Sequence, residues 1–195
     1  SQKNWAIPQA QHEWVLLIDA DERVTEKLEK EVRGILSKKF KEGDPAAYEM
    51  GRENYFMGKK IRYSGWQNDS VVRLFRRDLS EYEDKRVHAK LLVKGEIKEL
   101  KGKFEHYTFT SLDQYIWKMR NYTTWKARDK FQKGKKSNWF IIHFRASFKF
   151  FRDYFLKLGF LDGSHGFILC GLSAFSEFLK YSKLYFLIKK EKNKG

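Results

Sequence analysis

Trp14-Val15-Leu16-Leu17-Ile18-Asp19-Ala20-Asp21-Glu22 is the stretch that decides the fold class of this 195-residue chain. Its five consecutive apolar residues are typical of a strand that is covered on both faces. Three carboxylates follow at once, so they stand where that strand ends. In open α/β sheets, ligands collect at this edge. The stretch therefore predicts an α/β fold with a polar site after its first strand.

The segments that follow alternate between helical and strand patterns. Thr25 is a candidate N-cap for a helix with apolar residues at helical spacing, and Gly43-Asp44-Pro45 ends that segment by turn chemistry. Strand-like pieces then come between glycines, and they are Ala47 to Phe56, Lys60 to Tyr63, Val71 to Phe75 and Lys90 to Val93. Residues 1–108 are accordingly predicted to form a mixed α/β domain.

The second half of the chain, residues 109–195, is predicted to be helical. Ser111 and Gln114 form a capping-box pair in front of a helix from Leu112 to Phe131. Helical periodicity returns in Trp139 to Leu158 and in Phe167 to Ile188. The predicted architecture is thus an α/β core followed by a helical region.

Positive charge and aromatic residues are both concentrated in the second half. Residues 1–100 carry 20 basic and 18 acidic side chains, whereas residues 101–195 carry 20 basic and 7 acidic ones. The second half also holds 23 of the 33 aromatic residues. Cationic and aromatic side chains together are typical of a surface that contacts anionic lipid. We therefore expect the helical region to associate with an anionic membrane surface.

The composition also bears on the compartment. Cys170 is the single cysteine, so it cannot form an internal disulfide, and a reducing compartment fits. No secretory signal opens the chain, and no apolar run reaches the ~18 to 20 residues of a transmembrane helix. The expectation is a cytoplasmic protein, peripheral on the inner face of the cell membrane.

Asp19 and Asp21 are the first candidate site residues. A hard divalent cation such as Mg²⁺ or Mn²⁺ prefers carboxylate oxygens, and it needs open coordination positions when it bridges a diphosphate. Two aspartates separated by one small residue can supply such a site. An Asp-x-Asp triplet also occurs in solvated turns, and that alternative stands beside the metal site.

The chain resembles family 2 glycosyltransferases, in particular the branch with the bacterial lipopolysaccharide-core glucosyltransferases. The resembling segments occur in order along nearly the whole chain, and they are Gln2–Ile7, Trp14–Arg23, Arg52–Tyr55, Gly65-Trp66, Val72–Arg76, Val87-His88, His106-Tyr107 and Gly159–Gly163. The resemblance implies a GT-A, Rossmann-like fold. It also implies an incomplete core, because the family's first strands, which hold the nucleoside, are expected to precede Gln2.

The implied reaction is an inverting transfer of a sugar from a nucleotide-sugar donor to a glycan or glycolipid acceptor. Asp19 and Asp21 would hold the divalent cation, and Glu22 would orient their loop. Lys118 and Arg120 would bind the donor by stabilising its departing diphosphate.

Two further residues each have a functional role implied by the resemblance and a structural role as the alternative. His106 would approach the metal as a third ligand in the family pattern, or it would serve as a hydrogen-bonded structural imidazole. Trp66 would stack on a sugar of the acceptor, or it would pack in the core.

The catalytic base is missing from its expected position. The family pattern has a glutamate after the Val-His pair, which removes the proton of the acceptor hydroxyl, whereas this chain has Ala89. A methyl group cannot accept a proton. Asp69 and Glu53 are the next carboxylates considered as the base.

Two other classes of function stay open at this point. A basic-aromatic nucleic-acid-binding module would follow a phosphate backbone with its cations and stack its rings on bases. The aromatics instead recur with leucine at helical spacing, as in Phe148, Phe151, Phe155 and Leu158, which indicates a buried or membrane-facing stripe. No nucleic-acid partner is therefore expected. A catalytically silent glycan- or lipid-binding scaffold is the second alternative, and Ala89 favours it.

Overall fold

The computed structural model describes residues 2–83 and 90–193. Within these residues the α-helices are α1 (Gln2–Ala6), α2 (Glu26–Leu36), α3 (Leu112–Gln132), α4 (Trp139–Phe151) and α5 (Gly163–Lys192). The strands are β1 (Trp14–Leu16), β2 (Glu22–Val24), β3 (Ala47–Phe56), β4 (Lys59–Lys60), β5 (Ser70–Arg76), β6 (Ser80–Tyr82), β7 (Leu91–Val93) and β8 (Ile97–Phe109). The predicted α/β fold class, with a helical region after the sheet, is confirmed.

The chain divides into two compact units. The first comprises Ser1–Asn54 and Asn68–Tyr107, and the second comprises Tyr55–Gln67 and Thr108–Gly195. The chain passes between them three times, within β3, between β4 and β5, and within β8. Residues 55–67, which the sequence pattern groups with the α/β domain, thus make their contacts mainly with the helical region.

The main sheet has the strand order β1-β5-β3-β8-β2, with β4 paired to β3. Pairing is antiparallel between β1 and β5, between β3 and β5, and between β2 and β8. β6 and β7 form a separate antiparallel pair. Because β1 and β2 follow one another in sequence but lie at opposite ends of the strand order, residues 17–21 run past the strands in between.

α2 packs on the sheet of the first unit. The Thr25 hydroxyl accepts a hydrogen bond from the Leu28 backbone N–H at 3.3 Å and donates one to the Lys103 carbonyl at 2.7 Å. The predicted N-cap therefore also ties the helix to β8. Leu28 is fully buried with Phe104 in the core. A Cβ at Gly102 would lie 2.4 Å from the Leu28 Cα, so glycine is required for this close approach.

The helices of the second unit begin close to where the sequence predicts. The Ser111 hydroxyl accepts the N–H of Gln114 at 3.2 Å, and the Gln114 side-chain oxygen accepts the N–H of Thr110 at 3.0 Å. α4 gives way to a π-helical turn at Arg152–Leu156. α5 begins at Gly163, four residues before the predicted start.

Asp162 holds residues 62–64 against the start of α5. Its buried carboxylate accepts hydrogen bonds from the backbone N–H of Arg62 and of Tyr63, both at 3.0 Å, and from the Ser64 hydroxyl at 2.7 Å. These bonds keep the segment out of the sheet. The predicted strand from Lys60 to Tyr63 is therefore wrong beyond its first residue.

The described residues contain no single helix that is long and apolar enough to cross a membrane. Trp139–Leu156 and Gly159–Lys192 meet that requirement only when taken together, by length and composition, and they are bent by 71° at the break between them.

We expect Asp162→Ala to lower the free energy of unfolding by about 3 kcal/mol, because three donors lose their buried acceptor. Asp129→Ala is the matched control, since this carboxylate forms an exposed pair with Lys133 and its loss costs below about 1 kcal/mol. Urea unfolding followed by circular dichroism measures both. Equal losses in the two variants would contradict the assignment.

Candidate functional site

Residues 17–21 carry the two candidate aspartates and are surrounded by polar side chains from the strands they pass. Arg73 lies on β5, Arg52 and Asn54 lie on β3, and His106 lies on β8. All of them belong to the first unit. The strand order thus brings together residues that are far apart in sequence.

Arg73 is the buried cation of this network. Its Nη2 donates hydrogen bonds to the Asp19 carboxylate and, at 2.8 Å, to Glu22 Oε1. Burial lowers the pKa of Arg73, but hydrogen bonds and charges from Glu22 and Asp19 outweigh it and raise the pKa above its ordinary value. The guanidinium therefore stays charged and holds both carboxylates.

Glu22 closes the turn that the aspartates form. Its Oε2 accepts the backbone N–H of Asp19 at 3.0 Å, and its own N–H donates to the Asp19 carbonyl at 3.0 Å. The Glu22 side chain is fully buried, and Oε1 also lies 3.4 Å from Arg52 Nη1. The turn is consequently held from inside the protein, while the Asp19 side chain remains 42% exposed.

Asp69 is paired with Arg52 through both of its oxygens. Arg52 donates from Nε at 2.9 Å and from Nη2 at 2.8 Å, and Asn54 Nδ2 donates to Oδ2 at 2.9 Å. A carboxylate that is engaged by three donors is poorly placed to take a proton from a hydroxyl. Glu53 falls on the opposite face of β3 from Arg52 and Asn54, because adjacent strand residues alternate.

Asn54 determines which nitrogen of His106 carries the proton. Since Asn54 donates its amide to Asp69, its Oδ1 accepts, and it lies 2.6 Å from His106 Nδ1. Burial, followed by the charge of Arg52, lowers the pKa of His106 below its ordinary value. The neutral ring is therefore protonated on Nδ1, and its Nε2 lone pair lies 3.6 Å from Asp21 Oδ2.

Asp21 and His106 thus present two ligand atoms to the same space. A carboxylate oxygen and a neutral imidazole nitrogen both suit a divalent cation, and ligand atoms about 2.1 Å from a metal stand roughly 3 Å apart. The Asp21 side chain is 37% exposed, so solvent reaches this position. Residues 2–83 and 90–193 contain no group of three or more metal-ligating side chains. The arrangement offers facing ligands rather than a closed cage.

Lys118 and Arg120 lie on α3, in the second unit. Lys118 Nζ donates to the Thr108 carbonyl at 3.3 Å and lies 5.0 Å from the ring centroid of Phe109. The Arg120 carbonyl accepts a hydrogen bond from Lys183 Nζ at 2.9 Å. Their role at a diphosphate stays a prediction from the sequence.

Trp66 also belongs to the second unit. Its ring packs against Phe56 and Phe109, with centroid distances of 6.1 and 6.3 Å. These are contacts of a core residue, and a stacking role on a sugar stays a prediction. Ala89, the expected position of the base, lies outside the described residues.

Arg73, Arg52 and Asn54 are site residues for which the sequence alone indicates no role. Arg52 and Asn54 are two residues apart on one strand and therefore share a face. Arg73 stands between apolar neighbours within β5, with Val72 before it and Leu74 after it. An arginine between apolar residues of a strand needs a buried anion as its partner. This requirement could have indicated Arg73 from the sequence alone.

We expect Arg73→Leu to lower the free energy of unfolding by about 3 kcal/mol, since it leaves the buried Glu22 carboxylate with Arg52, at 3.4 Å, as its remaining cationic partner. Adding Glu22→Leu removes that charge, so the double variant loses less than the sum of the single losses. Arg33→Leu, on an exposed pair with Glu29, is the control and costs below about 1 kcal/mol. Additive losses in urea unfolding would refute the pairing.

Comparisons with known proteins find glycosyltransferases. The chain is 28% identical over 187 residues to the lipopolysaccharide core biosynthesis glycosyltransferase LpsC of Rhizobium meliloti (strain 1021), a match over 94% of this chain and 68% of that protein. It is 26% identical over 201 residues to uncharacterized glycosyltransferases of Rickettsia typhi and Rickettsia prowazekii, over 98% of this chain and 68% of each. No protein-family model matches. These similarities support a glycosyltransferase.

Proposed function

We propose that this chain belongs to a metal-dependent, inverting glycosyltransferase of family 2 and GT-A type. It would transfer a sugar from a nucleotide-sugar donor to a glycan or glycolipid acceptor like the lipopolysaccharide core. The observation that supports this best is that Asp21, on a turn held by the buried Arg73, faces His106 on β8. The relative named for lipopolysaccharide core biosynthesis supports the class of acceptor.

Asp21 and His106 are the proposed direct ligands of Mg²⁺ or Mn²⁺. Asp19 would add a carboxylate oxygen while its hydrogen bond to Arg73 holds it in place. When bound, the cation supplies positive charge that stabilises the diphosphate leaving group. The chain supplies only part of a coordination shell, so donor oxygens and water would complete it.

The transfer breaks the bond between the anomeric carbon and the diphosphate oxygen, and it forms a bond from that carbon to the acceptor oxygen. The proton of the acceptor hydroxyl passes to a carboxylate base. Asp69 is occupied by Arg52 and Asn54, and Glu53 lies across β3 from that network. Position 89, where the family resemblance implies a glutamate, stays the proposed place of the base, and Ala89 would make this chain slow in that step.

We expect Mn²⁺ alone to bind weakly, and a nucleoside diphosphate to bind only when Mn²⁺ is present. Asp21→Asn and His106→Gln should each weaken this binding about tenfold or more, because each removes one of the two facing ligand atoms. Isothermal titration calorimetry of the full-length protein with a panel of nucleoside diphosphates measures the effect.

The matched control for that experiment is Glu105→Gln. Glu105 precedes His106 on β8, and its carboxylate instead accepts a hydrogen bond from the Tyr107 hydroxyl at 3.0 Å. This control should bind within about twofold of the unaltered chain, since it removes no proposed ligand. Binding by Asp21→Asn that equals binding by the control would overturn the cation site.

We expect Ala89→Glu to raise the rate of sugar transfer by ~10² to 10⁴, the usual contribution of a positioned base. Donor affinity should not change, because the base acts on the acceptor. Ala89→Gln is the control, since it has nearly the same shape and no carboxylate. Turnover of the full-length protein is measured with a panel of nucleotide sugars and glycolipid acceptors.

Two outcomes of that assay would count against the proposal. If the unaltered chain transfers sugar as fast as the Ala89→Glu variant, another carboxylate is the base. If neither chain transfers sugar while both bind glycan or lipid, the silent scaffold is the better description.

A further inference from the structure

A row of aromatic side chains lies exposed along one face of α4 in the second unit. Phe140, Phe144 and Phe148 are 61%, 55% and 46% exposed, and their neighbouring rings stack at 6.0 Å with an interplanar angle of 11°. The spacing of four residues places them on one side of the helix. Phe151 and Phe155 continue the row with a centroid distance of 5.3 Å. These five residues are the aromatic row.

The opposite face of α4 is already covered. Ile142 is 8% exposed and packs in a core cluster with Ala127 of α3 and with Tyr181 and Leu184 of α5. The aromatic row is therefore not the core-facing stripe of this helix. Within the described part of the chain, these five rings remain open to solvent.

A lysine cluster stands directly before the row. Lys133, Lys135 and Lys136 are exposed between α3 and α4, and Trp139, the first residue of α4, is 73% exposed. Lys133 forms an exposed pair with Asp129 at 2.9 Å. Residues 109–193 contain 17 Lys and Arg against 6 Asp and Glu, so this part of the chain carries a strong net positive charge.

We propose that α4 docks on an anionic phospholipid bilayer, with the aromatic row in the acyl boundary and the lysine cluster on the phosphate headgroups. A basic edge beside a continuous aromatic face is the pattern of helices that lie in the plane of a membrane interface. The cytoplasmic leaflet carries the anionic lipids that attract such a cluster. This docking does not depend on the sugar transfer proposed above.

Charge complementarity favours a bilayer over the other occupants of such a face. A second copy of this chain would bring a second lysine cluster and the same net positive charge toward the first. A nucleic acid would satisfy the lysines but would leave the stacked phenylalanines without an apolar partner. An anionic bilayer satisfies both the charge and the apolar surface.

The first test is co-sedimentation with vesicles of phosphatidylcholine alone and of phosphatidylcholine mixed with phosphatidylglycerol. Binding should require the anionic lipid and should fall as salt is raised. Replacing Lys133, Lys135 and Lys136 with glutamine should lower the partition coefficient at least about tenfold, since each lysine contributes about fivefold.

The control changes the same charge elsewhere, with Lys38, Lys39 and Lys41 replaced by glutamine in the first unit, where these lysines are also exposed. It should stay within about twofold of the unaltered chain, because the three lysines are not part of the lysine cluster. Equal losses in the two triple variants would mean that only net charge matters, and this would overturn a docking face on α4.

The apolar part is tested with Phe144→Gln combined with Phe148→Gln. We expect partitioning to fall about tenfold or more, because two exposed rings no longer enter the bilayer. Leu36→Gln combined with Ile97→Gln is the control, since both residues are exposed in the first unit. Thermal melting by circular dichroism shows whether each variant folds.

A second readout leaves the aromatic row intact. Brominated lipid should quench part of the tryptophan emission, and Trp139→Phe should remove much of that quenching. Undiminished binding by the folded Phe144/Phe148 variant, or unchanged quenching in Trp139→Phe, would overturn the proposal. A lipid-free dimer that the same phenylalanine replacements abolish, or tighter retention on oligonucleotides than on anionic vesicles, would overturn it as well.

Discussion

The candidate site depends on one interaction, the pairing of the buried Arg73 guanidinium with the Asp19 and Glu22 carboxylates. A buried cation requires anions close by, and a buried glutamate requires a cation. Because Arg73 and Glu22 satisfy each other, the connection between β1 and β2 is fixed to β5. The exposed carboxylates of Asp19 and Asp21 owe their positions to this pairing beneath them.

A chain of hydrogen bonds continues from that ion pair to the imidazole. Arg52 binds Glu22 and Asp69, and Asn54 donates to Asp69. The Asn54 oxygen in turn accepts a hydrogen bond from the Nδ1–H of His106. Each group fixes the donor or acceptor role of the next. The outcome is an Nε2 lone pair that faces a carboxylate, which is an arrangement suited to a shared cation. The chemistry proposed for the site therefore rests on Asn54, an asparagine that is not itself a proposed metal ligand.

The second unit uses its phenylalanines in two different ways. Phe56 and Phe109 pack with Trp66 in a core cluster, whereas Phe144 and Phe148 stack along the outside of α4. Stacking at a spacing of four residues orders the exposed rings without burying them. In the proposed docking, the exposed rings would leave water for the apolar part of a bilayer, and the neighbouring lysines would favour a bilayer with anionic headgroups.

Local interactions let the sequence determine much of the fold by itself. Thr25 and Ser111 cap the helices that they were expected to cap, because capping involves residues only a few positions apart. The first predicted strand is confirmed only for Trp14–Leu16, and β1 is a half-buried strand at the end of the strand order rather than one covered on both faces. The partners of Arg73 and the donors to Asp162 lie about 50 to 100 positions away, and only the tertiary structure decided them. Long-range pairing of this kind depends on strand order and helix docking, which no local pattern encodes.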